Sequence, residues 1–208
     1  MAKQSVHIIE TGVANIASMI AAFERLGASP ELTRDVADVR DGEFVVLPGV
    51  GSFGAGMARL DELDMREALV ERAEQGRPLF AVCLGLQLLC SASEESPGVA
   101  GLGIVDATIT RFPDTVRIPQ FGWNSVSADA DCKLLTSGYA YFANSYRLEE
   151  GRLEESRLEQ TSDWCVARSD HGGPFVAAME RGNLLACQFH PEISGKWGLG
   201  LIERWLSC

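Results

Sequence analysis

Two cysteines separated by two residues, the spacing of most local zinc and redox motifs, occur nowhere in the sequence. Its six cysteines, at positions 83, 90, 132, 165, 187 and 208, are scattered. That dispersal excludes the common zinc patterns and reads as reduced thiols in a cytoplasm. Long apolar runs are missing too: none approaches the ~18 residues a membrane-spanning helix requires. The segment from Met1 to Glu10 lacks the uninterrupted apolar core of a signal peptide. Basic charge is scarce. Against 29 Asp and Glu stand 18 Lys and Arg, a formal net charge of −11, which argues against nucleic acid and against an anionic membrane surface as partners. With three histidines in the chain, an imidazole base must be His7, His171 or His190. No G-x-x-x-x-G-K-[ST] phosphate loop, internal repeat, low-complexity tract or linker breaks the sequence.

What remains is an ordinary globular composition, 46% hydrophobic and 23% charged over 208 residues. It suits one sizeable α/β domain, residues 1–208, and is short for two. Apolar runs predict strands at Val6–Glu10, Glu31–Thr33, Phe44–Leu47 and Leu79–Val82. Helical stretches are expected at Asn15–Leu26, with Asn15 as N-cap and Gly27 just past the end, and around Asp64–Gln75. Strands alternating with helices predict a doubly wound, mostly parallel sheet. Beyond Ser93–Gly98 the pieces are β-rich: Ile104–Ile109, Trp123–Val126, Tyr139–Tyr146, Trp164–Arg168, Phe175–Glu180 and Leu184–Phe189. Turn signals at Ser169–Gly173 and Arg181–Asn183 make them hairpins, an antiparallel C-terminal extension. The charge-rich Arg147–Gln160 reads as a solvated loop or edge, and Lys196–Leu206 as a closing helix.

The chain is organised around Pro78-Leu79-Phe80-Ala81-Val82-Cys83-Leu84-Gly85-Leu86-Gln87-Leu88-Leu89. An apolar strand gives way to helix formers with Cys83 at the junction. A tight strand-to-helix turn pushes that side chain out at the carboxyl edge of the sheet, beside N–H groups that favour negative charge. Small Ala81 and Gly85 give such a turn room. An isolated cysteine is equally at home as a small core residue, and the turn alone leaves the two readings even.

Gly49-x-Gly51-x-x-Gly54 follows a strand, but no acid ends the next one, so the dinucleotide fingerprint is a poor match. Two glycines around Val50 instead let a peptide sit, or flip, with its N–H aimed across the sheet edge. An oxyanion donor and an ordinary tight turn both fit. His190-Pro191-Glu192 directly follows an apolar strand. Pro191 favours extended geometry at His190, and in extended chain His190 and Glu192 project to one side. The carboxylate would then orient the imidazole toward a thiol; the alternative is a strand-end histidine with an exposed Glu. Together the three features describe a nucleophile, a base with its orienter, and an oxyanion loop.

Cys83-Leu84-Gly85-Leu86-Gln87 and His190-Pro191-Glu192 resemble the signatures of the class I, triad-type glutamine amidotransferases. Within that family, Leu47-Pro48-Gly49-Val50-Gly51, Pro119-Gln120-Phe121-Gly122-Trp123-Asn124, Asn144-Ser145-Tyr146 and Gln188-Phe189-His190-Pro191-Glu192 resemble the histidine-pathway branch, the glutaminase subunits of imidazole glycerol phosphate synthases. The similarity runs from Thr11-Gly12-Val13-Ala14-Asn15 to the final helix. It implies hydrolysis of L-glutamine through a γ-glutamyl thioester, with Cys83 as nucleophile, His190 as base and acid, and Glu192 as orienter. It further implies an oxyanion hole from Leu84 and the Gly49-Val50-Gly51 loop, and substrate contacts from Gln87, Glu95, Ser145 and Tyr146. No metal or organic cofactor is needed. The implied partner is a (β/α)8-barrel cyclase receiving ammonia through an internal tunnel in a heterodimer, with Asn15, Pro119 and Trp123 near the interface.

Four positions depart from the family pattern. Ala81 and Ala14 replace glycines, and both are small. Asn144 stands where His is usual, and Ile193 where Lys or Arg commonly follows the Glu; these bear on partner and substrate-loop contacts, not on the triad. Other functions also remain in view. They are a glutaminase subunit of a synthase for anthranilate, pyridoxal phosphate or amidated sugars, a thiol peptidase or chaperone-like hydrolase, and a binding-only subunit. Glutamine against peptide turnover and the identity of a co-purifying partner separate them.

Overall fold

The computed structural model describes residues 3–12, 15–151 and 164–208. Among them runs a nine-stranded sheet in the order β2-β1-β3-β4-β12-β11-β10-β7-β8. Its first half is parallel: β2 (Ser29–Thr33), β1 (Ser5–Ile9), β3 (Phe44–Gly49), β4 (Leu79–Cys83) and β12 (Leu184–Cys187). From β12 the sheet continues antiparallel through β11 (Pro174–Arg181), β10 (Cys165–Asp170), β7 (Gln120–Ala128) and β8 (Gly138–Asn144). The expected parallel sheet with an antiparallel extension is what forms. Both turn signals make hairpins, β10–β11 and β11–β12. A small second sheet pairs β5 (Cys90–Ser93), β6 (Val105–Arg111) and β9 (Tyr146–Arg147).

Alternation along the buried strands divides the core in two. Ile9, Val45, Leu47, Leu79, Ala81, Leu184 and Ala186 face one layer, with Phe53, Met57 and Leu60 of α3 (Phe53–Glu62) and Leu69 of α4 (Arg66–Glu74). Val6, Ile8, Phe44, Val46, Phe80, Val82 and Leu185 face the other, against Met19 and Phe23 of α1 (Ile16–Arg25) and Trp205 of the last helix, Gly195–Leu206. Trp205 meets Phe44 and Phe80 at ring-centroid distances of 5.1 and 5.3 Å. Strands buried on both faces explain why β3 and β4 read as unbroken apolar runs rather than alternating ones.

Helices caused most of the misreadings. The stretch expected around Asp64–Gln75 is the end of a helical pair: α3 closes at Glu62, Asp64 takes the left-handed conformation (φ 54°), and α4 starts at Arg66. Helix α3 went unread because its glycines lower helix propensity. The Ser52 side chain caps it by accepting the Ala55 N–H, and Gly56 packs against Leu84 and Leu88, whose side chains would have to give way to an added Cβ. A short α2 (Val36–Asp41), capped by Asp35, was also missed. Asn15 sits at the N-cap of α1 without a side-chain capping bond. Nor is Arg147 solvated: it is buried, donates to the His171 and Gly173 carbonyls, and lies over the Phe112 ring. Residues 152–160 of that charged stretch lie outside the described residues, as do Val13 and Ala14 of the first loop.

Candidate active site

Strands β3 and β4 end together, Gly49 opposite Cys83 in the last pair of their parallel register. The chain then turns abruptly into α5 (Leu84–Leu89). Cys83 takes the turn with φ 57° and ψ −109°, a left-handed conformation that a residue with a Cβ adopts only when its surroundings enforce it. The enforcement is visible. A Cβ on Gly85 would lie 2.0 Å from the Leu47 carbonyl oxygen, and one on Gly49 would meet Leu84 Cβ at 2.9 Å. Glycine at both positions lets the two strand ends and the helix converge, and the sulfur is left at the sheet edge.

On the far side, β12 delivers His190. Its backbone is pinned to β8, with the His190 N–H donating to Tyr141 O at 2.9 Å and Ser194 Oγ donating to His190 O at 2.7 Å. His190 Nδ1 donates to Glu192 Oε1 at 2.9 Å. The pairing expected of His190 and Glu192 is present, but its geometric reason was wrong: Pro191–Ile193 forms a 3-10 turn, not extended chain. That turn folds the carboxylate back beneath the ring. The Glu192 side chain is almost wholly buried and its Oε2 has no hydrogen-bond partner among the described residues. Its charge is therefore directed at the imidazole. Burial disfavours a charged His190, but hydrogen bonds to Cys83 and Glu192 and their negative charge outweigh it and raise its pKa to about 10. With Nδ1 given to Glu192, Nε2 is the atom left for the thiol.

A cavity of about 270 Å3 opens over the sulfur. It brings together Cys83, Leu84, Val50, Gly51, Gln87, Glu95, Ser145, Tyr146 and His190, with Ala143 and Asn144. Of the expected residues, Gly49 and Glu192 lie behind this cavity rather than in it, in a small cleft shared with Asn15 and Val50. Gly51 has φ 104°, a backbone state that favours glycine. Gln87 is tied down: its Nε2 donates to Tyr146 O at 3.2 Å and to Gln188 Oε1 at 2.9 Å. Asn144 Nδ2 donates to the same Tyr146 carbonyl at 2.9 Å, and its Oδ1 is buried without a partner among the described residues. Glu95 accepts the Phe53 N–H.

Two residues escaped the sequence reading. Gln188 is fully buried, and its Nε2 approaches Cys83 Sγ at 3.8 Å while its Oε1 accepts from Gln87. A polar residue in the apolar run Leu184–Phe189, two before the histidine, was the available signal. Ala143 lines the cavity with nothing in its residue type to mark it. The other histidines are elsewhere: His7 is 3.5 Å from Asp38, and His171 Nε2 is 2.8 Å from Arg117 O. Trp123 is 59% exposed on β7, edge-on to Tyr141, beside exposed Phe121 and Tyr139.

The model of the family described as Glutamine amidotransferase class-I matches residues 7–204. "Imidazole glycerol phosphate synthase subunit HisH" of Methanothermobacter thermautotrophicus is 39% identical over 202 residues, covering 96% of each chain. "Imidazole glycerol phosphate synthase hisHF, chloroplastic" of Arabidopsis thaliana is 34% identical over 206 residues; the match takes in 97% of this chain and 34% of that one. Among solved structures, that of PurLQS from Thermotoga maritima superposes with a TM-score of 0.74 over 99% of both chains at 16% identity, a likeness of fold.

Proposed function

The chain belongs to the class-I glutamine amidotransferases, and we propose that it is the glutaminase subunit of an imidazole glycerol phosphate synthase, serving histidine biosynthesis. Residues 1–208 form one glutamine amidotransferase domain in this reading. The observation that carries it is the meeting of Cys83 and His190 at a cavity of about 270 Å3, with Glu192 behind it, 2.9 Å from His190 Nδ1.

Beside Glu192 and an ionised Cys83, His190 is raised to about 10 and keeps its proton at neutral pH. That is the form that stabilises a thiolate beside it. Cys83 Sγ attacks the carboxamide carbon of L-glutamine, forming a tetrahedral oxyanion. The Leu84 N–H at the start of α5 and an N–H of the Val50–Gly51 peptide receive that charge. The oxyanion collapses as the C–N bond breaks, and His190 gives its proton to the departing ammonia. The γ-glutamyl thioester is then attacked by water, whose proton returns to His190, and Cys83 leaves as the thiolate. Glu192 holds the ring and balances its charge throughout. Gln87, Glu95 and the Ser145–Tyr146 backbone hold the amino-acid end of the substrate. None of these steps draws on a metal or an organic cofactor.

Ammonia passes to a cyclase subunit, a (β/α)8 barrel, that docks at the face carrying Trp123, Pro119 and Asn15. Support for a separate partner comes from the plant relative, about a third of whose length corresponds to this chain. The test is Cys83→Ala purified with a candidate cyclase. Glutamine-dependent formation of imidazole glycerol phosphate should vanish while ammonium-dependent formation persists. Glutamine-dependent turnover by that variant overturns the mechanism, and absence of any synthesis by the wild-type pair overturns the assignment.

A further inference from the structure

Across the sheet from the active site, three ligand-type side chains from three separate elements meet. The Cys132 thiol, the Cys165 thiol and a Glu180 carboxylate oxygen all lie within 4.8 Å of one another. Cys165 and Glu180 are directly opposite in the β10–β11 register, so their side chains share a face. Cys132, in the β7–β8 connection, is brought over them by backbone bonds from Cys132 N to Asp129 O and from Asp129 N to Val166 O. We propose that Cys132, Cys165 and Glu180 form a binding site for a thiophilic divalent cation of the zinc type, which clamps the β7–β8 connection onto the β10–β11 hairpin.

Glu180 is the instructive member. It is buried, and its oxygens accept the Lys133, Leu134 and Leu135 N–H groups at 2.5, 2.9 and 2.8 Å. A carboxylate has about four lone-pair positions, so three are occupied and one is left. The carboxylate is thus already oriented, the arrangement that supports a ligating Glu. Among the described residues, no basic side chain forms an ion pair with it. Arg204, which lines the same cavity, gives its N–H groups to Leu134 O and Thr136 Oγ1 instead.

Two sulfurs and one oxygen are a soft, borderline donor set, suited to zinc and poorly suited to magnesium or calcium. The cavity beside them, about 370 Å3 and lined by Asp131, Arg204 and Cys208, admits water as a fourth ligand. As two metal–sulfur bonds form, two thiol protons pass to solvent; two thiolates, a carboxylate and a dication then sum to one negative charge. The sequence hid this site because its ligands are far apart along the chain and only strand pairing unites them. It is also remote from the chemistry. Glu180 stands opposite Leu185, which stands opposite Phe80, near the amino end of β4, whereas Cys83 ends that strand. The role is structural.

The experiment uses the full chain carrying Cys83→Ala, which removes the catalytic thiol, reduced with a phosphine and stripped with a chelator. Titration with Co2+ should show about one equivalent bound with sulfur-to-cobalt charge transfer, displaced by Zn2+. Bound zinc should raise the melting temperature and protect Cys132 and Cys165, identified by mass spectrometry, from alkylation. In that background Cys132→Ser and Cys165→Ser should each weaken binding by at least ~10-fold, the loss seen when even a supporting partner of a ligand is removed. The protection measurement needs no further variant, so a misfolded one does not blunt the test. Failure of the parent to bind an equivalent, protection of other cysteines, or an unchanged cobalt spectrum when Cys132→Ser and Cys165→Ser are combined overturns the proposal. So does loss of both thiols to a disulfide in air while added zinc leaves them unprotected.

Discussion

Glu95 and Phe53 are joined by a 2.7 Å hydrogen bond, the Phe53 N–H donating to Glu95 Oε2. The next residue repeats the link, with the Gly54 N–H donating to Ser96 Oγ at 2.9 Å. Thus the turn at Glu95–Ser96 holds the first N–H groups of α3, the helix that begins where the Val50–Gly51 loop ends. The same carboxylate borders the substrate cavity, so it can both receive the substrate's ammonium and steady the loop.

These roles separate on substitution. Glu95→Gln keeps an oxygen to accept the Phe53 N–H but removes the charge, so KM for glutamine should rise with kcat little changed. Glu95→Ala also strips a cap bond from α3, about 1 kcal/mol of local stability, and should lower kcat as well. Steady-state kinetics of both variants in the presence of the cyclase distinguish them. Equal effects on kcat and KM in the two variants would remove the positioning role.

Gln188 affords a second prediction. It spans from Gln87 Nε2 to Cys83 Sγ, so Gln188→Leu, close in volume, leaves both groups without that partner. Leaving the buried Gln87 amide short of a partner costs about 1–3 kcal/mol. Thermal denaturation should show that loss. Glutaminase kcat should fall while ammonium-dependent synthesis is kept, because the network reaches only the thiol side of the reaction. Unchanged glutaminase kinetics would make Gln188 a packing residue.

What the sequence could and could not reveal follows from the range of the forces involved. Cys83, His190 and Glu192 were legible because each sits in a local pattern, a strand-to-helix junction or a strand end, that restricts where its side chain can point. The buried strands were legible for the same reason. Helix α3 was not, since its glycines sit at tertiary contacts, Gly54 against Ser96 and Gly56 against Leu84 and Leu88, and that packing outweighs local propensity. Arg147 reads as solvated by its charge and is buried by carbonyls from the β10–β11 turn and a ring from Phe112. The His190–Glu192 contact was foreseen through extended chain; His190 is extended as Pro191 favours, but the chain from Pro191 to Ile193 turns as a 3-10 helix. Right residues can be reached by a wrong path when two backbone conformations place i and i+2 within reach.

A third prediction concerns pH. Hydrogen bonds and charge from Cys83 and Glu192 overcome burial and raise His190 from 6.5 to about 10. A group raised on folding contributes stability fully present below its unfolded value and lost as pH rises through its folded value. With Cys83 replaced by alanine, so that Glu192 alone raises the ring, the difference in denaturation midpoint that His190→Gln causes should be largest below pH 6.5 and shrink as pH rises. Glu192→Gln removes one of the raising influences, so the same loss should begin at lower pH. In activity, Glu192→Gln should cost on the order of tens-fold, less than His190→Ala, because an orienting residue contributes less than the base. Negligible effects from both would mean the wrong histidine has been assigned.

The last prediction rests on Gly51, whose φ of 104° lies in the region that favours glycine and whose added Cβ would meet nothing within 4 Å among the described residues. Gly51→Ala is therefore a conformational probe: it perturbs the backbone and crowds no neighbour. Glycines on either side of Val50 permit the Val50–Gly51 peptide to flip, so on the proposed mechanism its N–H need not be aimed at the oxyanion at rest. Loss of one such donor typically costs about 10²–10³ in rate, so a peptide resting in the wrong orientation silences the site with its triad intact. Silence is useful, because glutamine hydrolysed without an acceptor wastes substrate and releases ammonia. Cleft residues Asn15 and Val50 link this loop to the side on which the cyclase is proposed to dock, so docking can shift the peptide to its competent form. The isolated chain should release glutamate slowly, and the complex with the cyclase and its nucleotide ligand at least ~10²-fold faster. Gly51→Ala should reduce that rise while leaving ammonium-dependent synthesis intact. Comparable glutamate release from the lone chain, the complex and the liganded complex would mean the loop is already set for catalysis, and the gating idea would fall.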